Sequence, residues 1–211
     1  MATDLSFVHR FVPASRPDAA PLLLLHGTGG DEHDLVPLGE AVAPGAALLS
    51  VRGQVLEHGM PRFFRRLQEG VFDEADVIRR ASDLAAFITA AREAYGLAAP
   101  VALGFSNGAN IAAALLLLHP GVVQGAVLLR AMVPLARPPR IDLTGTDVLL
   151  LAGAHDPIVP AANGAALAAM LSDAGASVER RVLPGGHQLS QADVTLTRRW
   201  LDERAKVGAV A

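Results

Sequence analysis

A doubly wound α/β fold with a mostly parallel sheet is predicted by three features of this 211-residue chain. Short, nearly uninterrupted apolar runs alternate with longer stretches of helical spacing. Each run stops at Gly, Ser, Arg or Asp, and only one early segment alternates openly between apolar and polar residues. Unbroken apolarity over a few residues suits strands covered on both faces, as in a parallel sheet, and strand–helix alternation suits right-handed βαβ units.

Taken in order, "LSFVHRFVP" is the open alternator and is expected as an antiparallel edge strand. "PLLLLHG" follows as a buried strand, residues 33–43 as a helix and "AALLSVRG" as the next strand. The stretch "VRGQVLEHGMPRFFRRLQEGVFD", residues 51–73, has weak periodicity and reads as a long loop lying over one end of the sheet, where long loops are often functional. Residues 76–95 form a helix, "VALGFS" a strand and residues 107–118 a helix. "GAVLLRA" and "DVLLLAGAHD" are strands, followed by a helix over 160–174, the strand-like "SVERRVLP" and a last helix over 190–205. No repeat, Ser/Gly linker or charge block marks a boundary, so residues 1–211 read as one domain with no separate cap domain.

Composition narrows the function. Hydrophobic residues make up 51% and charged residues 18%, enough for a core and unlike a disordered chain. A net charge of −3 offers no field for a phosphate backbone, so nucleic acid is not an expected partner. With no cysteine there is no disulfide framework, thiolate nucleophile or cysteine metal site. "MATDLSFVHRF" lacks the pattern of a secretory leader, and apolar runs such as "IAAALLLL" fall short of the roughly 18–20 residues a spanning helix needs. The expectation is a cytoplasmic protein without membrane insertion.

Gly104-Phe105-Ser106-Asn107-Gly108 fits G-x-S-x-G, the nucleophile elbow of the α/β-hydrolase fold, and it stands where a strand runs into a helix. The competing reading makes Ser106 an N-cap and the glycines loop punctuation. A serine hydroxyl is a weak nucleophile and requires a base, which in turn requires an orienting carboxylate. In this fold the order is Ser, Asp, His. Of the histidines beyond Ser106, His119 ends the following helix, some ~18 Å along it at about 1.5 Å per residue, and is expected to act there on the helix dipole. His155 reads as a loop neighbour, and His187, in "LPGGHQLS", as the base. Asp156, just past a buried strand in "GAHDPIVP", is the acid, at the carboxyl end of the sheet where ligands gather. Asp147 lies at the opposite end of that strand, and Asp173 and Asp193 read as helix-surface charges.

The tetrahedral intermediate needs two backbone N–H donors, one from the residue after the nucleophile and one from the loop after an early strand. Asn107 supplies the first. His26-Gly27-Thr28-Gly29-Gly30 supplies the second, assigned to Thr28 with Gly29 still open. The same glycines do not make a nucleotide site, because Glu32 stands where G-x-G-x-x-G needs its third glycine. "DEHD", residues 31–34, lacks a companion metal motif and reads as acidic residues in a first helical turn.

Together, "LLLLHGTGGDEHDLVPLG", "GFSNGAN", "GAHDPIVP" and "PGGHQLS" resemble the blocks of the phospholipase/carboxylesterase family of cap-less α/β-hydrolases, which includes acyl-protein thioesterases. "VRGQVLEHGMPRFFRRLQEGVFD" is similar to its bacterial hydroquinone-associated hydrolase branch. The resemblance implies catalytic Ser106, Asp156 and His187, an oxyanion hole at Thr28 and Asn107, no metal or organic cofactor, and a homodimer as a plausible assembly. It departs from the thioesterase branch, which often has Leu near Thr28 and Gln at Asn107. The expected activity is carboxylic ester hydrolysis on a small-molecule ester through an acyl-enzyme. Thioesterase, lysophospholipase or lactone hydrolase activity with the same triad, and a non-catalytic binding module, are the alternatives. Phe63, Phe64, Phe72 and Met132 are candidate substrate-binding residues, against a reading as ordinary core. Arg62, Arg65 and Arg66 either meet an anionic substrate or form a solvated face.

Overall fold

A computed structural model of the chain describes residues 5–16 and 18–208. The start of the chain read above for a leader, residues 1–4, lies outside the described residues. The central sheet contains β1 (His9–Val12), β2 (Leu22–Leu25), β3 (Leu48–Val51), β8 (Val101–Phe105), β9 (Gly125–Leu129), β10 (Asp147–Gly153) and β11 (Ser177–Leu183). Its order is β1-β3-β2-β8-β9-β10-β11. β1 is antiparallel to β3, as its open alternation predicts, and the other pairings are parallel.

The apolar strand runs are explained by two cores, one on each face. Leu23 and Leu25 of β2 join Val77, Leu84 and Ile88 of α2 (Glu74–Tyr95), Ile111 and Leu115 of α3 (Asn107–Leu118) and Leu167 of α4 (Ala161–Asp173). Leu22 and Leu24 point the other way, to Val36 and Val42 of α1 (Val36–Val42) and Trp200 of α5 (Gln191–Gly208). Successive strand residues alternate faces, so a strand between two helix layers must be apolar at every position. The helix α2 is bounded by local chemistry: Asp73 caps it by accepting from the Asp76 N–H at 3.1 Å, and Gly96 ends it at φ 65°.

Residues 51–73 are not an irregular loop. They form two hairpins, β4 (Val55–Glu57) with β5 (Met60–Arg62) and β6 (Arg66–Gln68) with β7 (Val71–Phe72). His58 and Gly59 turn the first at φ 52° and 79°, the pair of left-handed residues that a tight two-residue hairpin turn needs. Strands of two or three residues are too short to show a period, which is why the segment reads as loop. The "DEHD" residues also stand apart from the expectation, because α1 begins only at Val36 and has no acidic residue in its first turn. Asp31 instead accepts from the His33 N–H at 2.8 Å, and Glu32 is buried against Arg52. Among the described residues no group of metal-ligating side chains could hold an ion, and no helix is long and apolar enough to cross a membrane.

Candidate active site

The loops after β2, β8, β9, β10 and β11 all leave the same end of the parallel sheet. Ser106 sits between β8 and α3 at φ 53°, ψ −114°, a conformation that costs a non-glycine residue on the order of 1–3 kcal/mol and persists only when its surroundings impose it. Those surroundings are its glycines. A Cβ on Gly104 would meet the Gly108 carbonyl oxygen at 2.5 Å, and one on Gly108 would fall on the Leu25 carbonyl. The turn is therefore as tight as G-x-S-x-G allows. Ser106 is the residue before the first helical position, yet its hydroxyl makes no capping bond. It is turned to His187 Nε2, 3.0 Å away.

On the far side of the imidazole, His187 Nδ1 lies 2.8 Å from Asp156 Oδ2. The other carboxylate oxygen, Oδ1, accepts from the Ile158 and Val159 N–H groups at 2.8 and 3.0 Å. Burial opposes the charge on Asp156, but the Val159 N–H, His187 and the Ile158 N–H outweigh it and hold the carboxyl below its ordinary range. The structure thus brings Ser106, His187 and Asp156 into one hydrogen-bonded line. The other histidines beyond Ser106 have different places: His119 is the C-cap of α3 with its ring 3.1 Å from Ser82 Oγ, and His155 is exposed, its backbone N–H donating to the Gly185 carbonyl at 2.8 Å.

The Gly29 N–H donates to the Pro61 carbonyl at 2.9 Å, and Gly30 N–H to Gly27 at 3.1 Å. Gly29 is thereby excluded as a free donor. Among the described residues no protein acceptor takes the Thr28 or Asn107 N–H. The loop carrying Thr28 is held from below by His26, which is buried. His26 Nδ1 lies 2.6 Å from the Gly27 carbonyl, and His26 Nε2 accepts from the Gly53 N–H at 2.9 Å. Burial lowers the pKa of His26, which suits this neutral, one-donor arrangement. The Asn107 side chain braces the opposite wall, its Oδ1 accepting from the Phe63 N–H at 2.7 Å.

Several expected neighbours have other jobs. Phe63 and Phe64 are 3% and 0% exposed and belong to the core, Phe64 packing edge-on against Phe72 at 5.0 Å. They anchor the hairpins to the body of the protein, which favours the alternative reading of them as ordinary core. Phe72 is half-buried beside them, and Met132 is 6% exposed with its N–H bound to Asn110 Oδ1 at 2.7 Å. The three arginines are not a solvated face. Arg62 is buried, donates to Thr28 Oγ1 at 2.5 Å and lies 3.1 Å from Glu57, while Arg66 pairs with Glu57 and Glu69 and exposed Arg65 pairs with Asp73. Burial, helped by nearby Arg66, depresses the pKa of Arg62. Asp193, read as a surface charge, is buried against Arg130, whereas Asp147 does begin β10 and Asp173 is exposed. Two exposed apolar side chains beside the site carry no signal in the sequence, one at the start of the three-residue β5 and one in a loop. Met60 lies over Gly29, and Ile158 stands on the loop of Asp156.

A mostly parallel sheet between two helix layers, with a serine on a strained strand-to-helix turn, defines an α/β-hydrolase. The chain belongs to the phospholipase/carboxylesterase family, whose model matches residues 8–203. It is 47% identical over 184 residues to MhqD of Bacillus subtilis (strain 168), named as a hydrolase, covering 86% of this chain and 92% of that one. Among solved structures it resembles the Bacillus cereus carboxylesterase, with a TM-score of 0.92, 44% identity and 95% of each chain covered. A carboxylesterase from Mesorhizobium loti gives a TM-score of 0.90 at 39% identity, covering 95% of this chain and 96% of that one. The family supports hydrolysis of small-molecule esters.

Proposed function

We propose that the protein is a serine carboxylesterase that works through an acyl-enzyme. Ser106 Oγ attacks the ester carbonyl while His187 Nε2 takes its proton. Asp156 fixes the tautomer with the proton on Nδ1 and stabilises the imidazolium that forms. The Thr28 and Asn107 N–H groups receive the oxyanion, a type of contact worth about 100–1,000-fold in rate per donor. The C–O bond to the leaving alcohol then breaks as His187 returns the proton. Water, deprotonated by the same imidazole, attacks the acyl carbon and releases the acid and free Ser106.

The observation that carries this reading is the hydroxyl of Ser106, placed 3.0 Å from His187 Nε2 on a strained turn where a capping role is open to it and unused. The test is hydrolysis of p-nitrophenyl acetate together with labelling by a fluorophosphonate probe. Wild-type protein is expected to turn over ester and to label at Ser106, and Ser106→Ala to do neither while keeping its melting temperature within a few degrees. Undiminished turnover by Ser106→Ala overturns the assignment.

A further inference from the structure

We propose that Arg130 and Asp193 are positioning residues that hold the catalytic base in line, an inference that rests on the hydrolase reading above. The problem they solve is set by the sheet order. His187 follows β11, but Ser106 follows β8, three strands away, or about 14 Å at ~4.8 Å per strand. His187 is the fourth residue after β11 ends at Leu183, and four residue steps span at most about 14 Å fully extended. The base is therefore carried on a short loop that crosses the end of β10 toward β9, the Gly186 carbonyl oxygen lying against the place where a Cβ on Gly153 would stand.

Arg130 lies beneath that crossing. It is the first residue after β9, 2% exposed, and at φ 58° it is one of the few non-glycine residues in the left-handed region. Its backbone continues the sheet, the N–H donating to the Leu151 carbonyl at 2.9 Å. Its side chain meets the base loop on both sides of the base. Nε donates to the Gly186 carbonyl at 3.0 Å and one terminal nitrogen donates to the Gln188 carbonyl at 3.1 Å, the two residues that flank His187. The remaining donors go to the Leu151 carbonyl at 3.3 Å and to Asp193 Oδ1 and Oδ2 at 2.7 and 3.0 Å. Every guanidinium N–H is thus used.

Asp193, on the first turn of α5, fixes the guanidinium and also accepts from the N–H and hydroxyl of Ser190, both at 2.8 Å. The loop from 186 to 190 is tied at each end to one buried ion pair. Stability is a weak explanation for such a pair, because well-packed apolar residues of similar volume often do as well. Directionality is a better one. A planar fork with fixed donor angles sets where two carbonyls lie, and hence where the imidazole between them points.

The test uses Arg130→Lys, which keeps a positive charge for Asp193 but cannot reach both carbonyls. With p-nitrophenyl acetate, kcat is expected to fall about 10- to 100-fold, the scale of a misplacement near 1 Å, with KM within about twofold. The rate of fluorophosphonate labelling should fall in parallel, since it needs the same Ser106–His187 alignment. Leu171→Ala, a fully buried change in α4, serves as a destabilised control and should leave both rates of the folded protein near wild type. If Arg130→Lys loses no more kcat than that control, the proposal is overturned. Where Arg130→Lys does not fold, Ser190→Ala decides: it removes one contact to Asp193, and a severalfold drop in kcat supports the proposal while an unchanged kcat overturns it. Absence of turnover and labelling in the wild type would instead overturn the hydrolase reading and this inference with it, so the two failures are told apart.

Discussion

Replacing Asp156 by asparagine is a sharp test of the proposed chemistry, because the structure dictates which way the new amide must face. Oδ1 of Asp156 accepts from two backbone N–H groups, those of Ile158 and Val159. Turning an NH2 group toward those donors would lose both bonds, so the asparagine oxygen takes the Oδ1 position and its nitrogen faces His187 Nδ1. A donor opposite Nδ1 forces that nitrogen to be the acceptor. The imidazole proton then moves to Nε2, the atom 3.0 Å from Ser106 Oγ, which can no longer take a proton. In serine proteases the equivalent change costs about 10⁴-fold in kcat, or roughly 5 kcal/mol of transition-state stabilisation. The expected outcome for Asp156→Asn is a kcat on p-nitrophenyl acetate reduced by about 10³- to 10⁴-fold, KM little changed and the fold intact by circular dichroism. Activity within tenfold of wild type would refute the assignment of Asp156 as the residue that sets the tautomer of His187.

Three further outcomes are expected. Asn107→Ala keeps the backbone N–H but leaves the buried Phe63 N–H without its acceptor, so a stability loss of about 1–3 kcal/mol is expected in urea unfolding, with a far smaller loss of kcat than for Asp156→Asn. Gly108→Ala drives a methyl group into the Leu25 carbonyl and must part α3 from β2, moving Ser106 away from the Thr28 loop; melting temperature and kcat should both fall, the latter by tenfold or more. The third concerns acid. Burial alone would raise the Asp193 pKa, but Arg130 and Ser190 override it and the folded value lies below the ordinary one. A depressed carboxyl pKa contributes stability that is present above the unfolded value of roughly 4 and is lost as pH falls through the folded value. Urea midpoints should therefore drop steeply below about pH 4, and less steeply in Asp193→Asn.

The sequence made most of the scaffold legible, and for a physical reason. Strands such as "PLLLLHG" and "VALGFS" are buried on both faces, so every residue carries the signal, and each ends at the loop that holds a candidate site residue. That Ser106, Asp156 and His187 would meet was readable because the elbow constrains its glycines locally and the fold sets the chain order of the rest. What stayed hidden was pairing across distance. Asp193 looks like any polar helix residue until Arg130, 63 positions earlier, is seen against it. Arg62 likewise reads as one of three cations that either meet an anionic substrate or form a solvated face, until Glu57 and the Thr28 hydroxyl are found around it. Phe63 and Phe64 look like pocket residues for a similar reason, since nothing in "PRFFRR" says that a hairpin needs anchors.

The two strained residues of the site end follow from one arrangement. Ser106 and Arg130 end adjacent parallel strands, both have positive φ, and the Ser106 N–H is bound to the Leu129 carbonyl just before Arg130 at 2.8 Å. A strand that simply ran on would carry its next side chain away from the neighbouring loop. A left-handed residue at the strand end instead redirects the side chain across the top of the sheet. At β8 this delivers the hydroxyl to His187, and at β9 it delivers the guanidinium to the carbonyls around His187. Ser106 has a glycine two residues away on either side, Gly104 and Gly108, which lets the turn close, whereas Arg130 has Leu128 and Met132 at those positions, so the contacts of its own side chain are what the structure offers to offset its strain. Arg130→Gly should therefore relieve the backbone while removing the clamp. A variant that lost kcat without a matching loss of stability would locate the value of Arg130 in its side chain's hold on the base loop; a stable, fully active one would show that the turn alone is what β9 contributes.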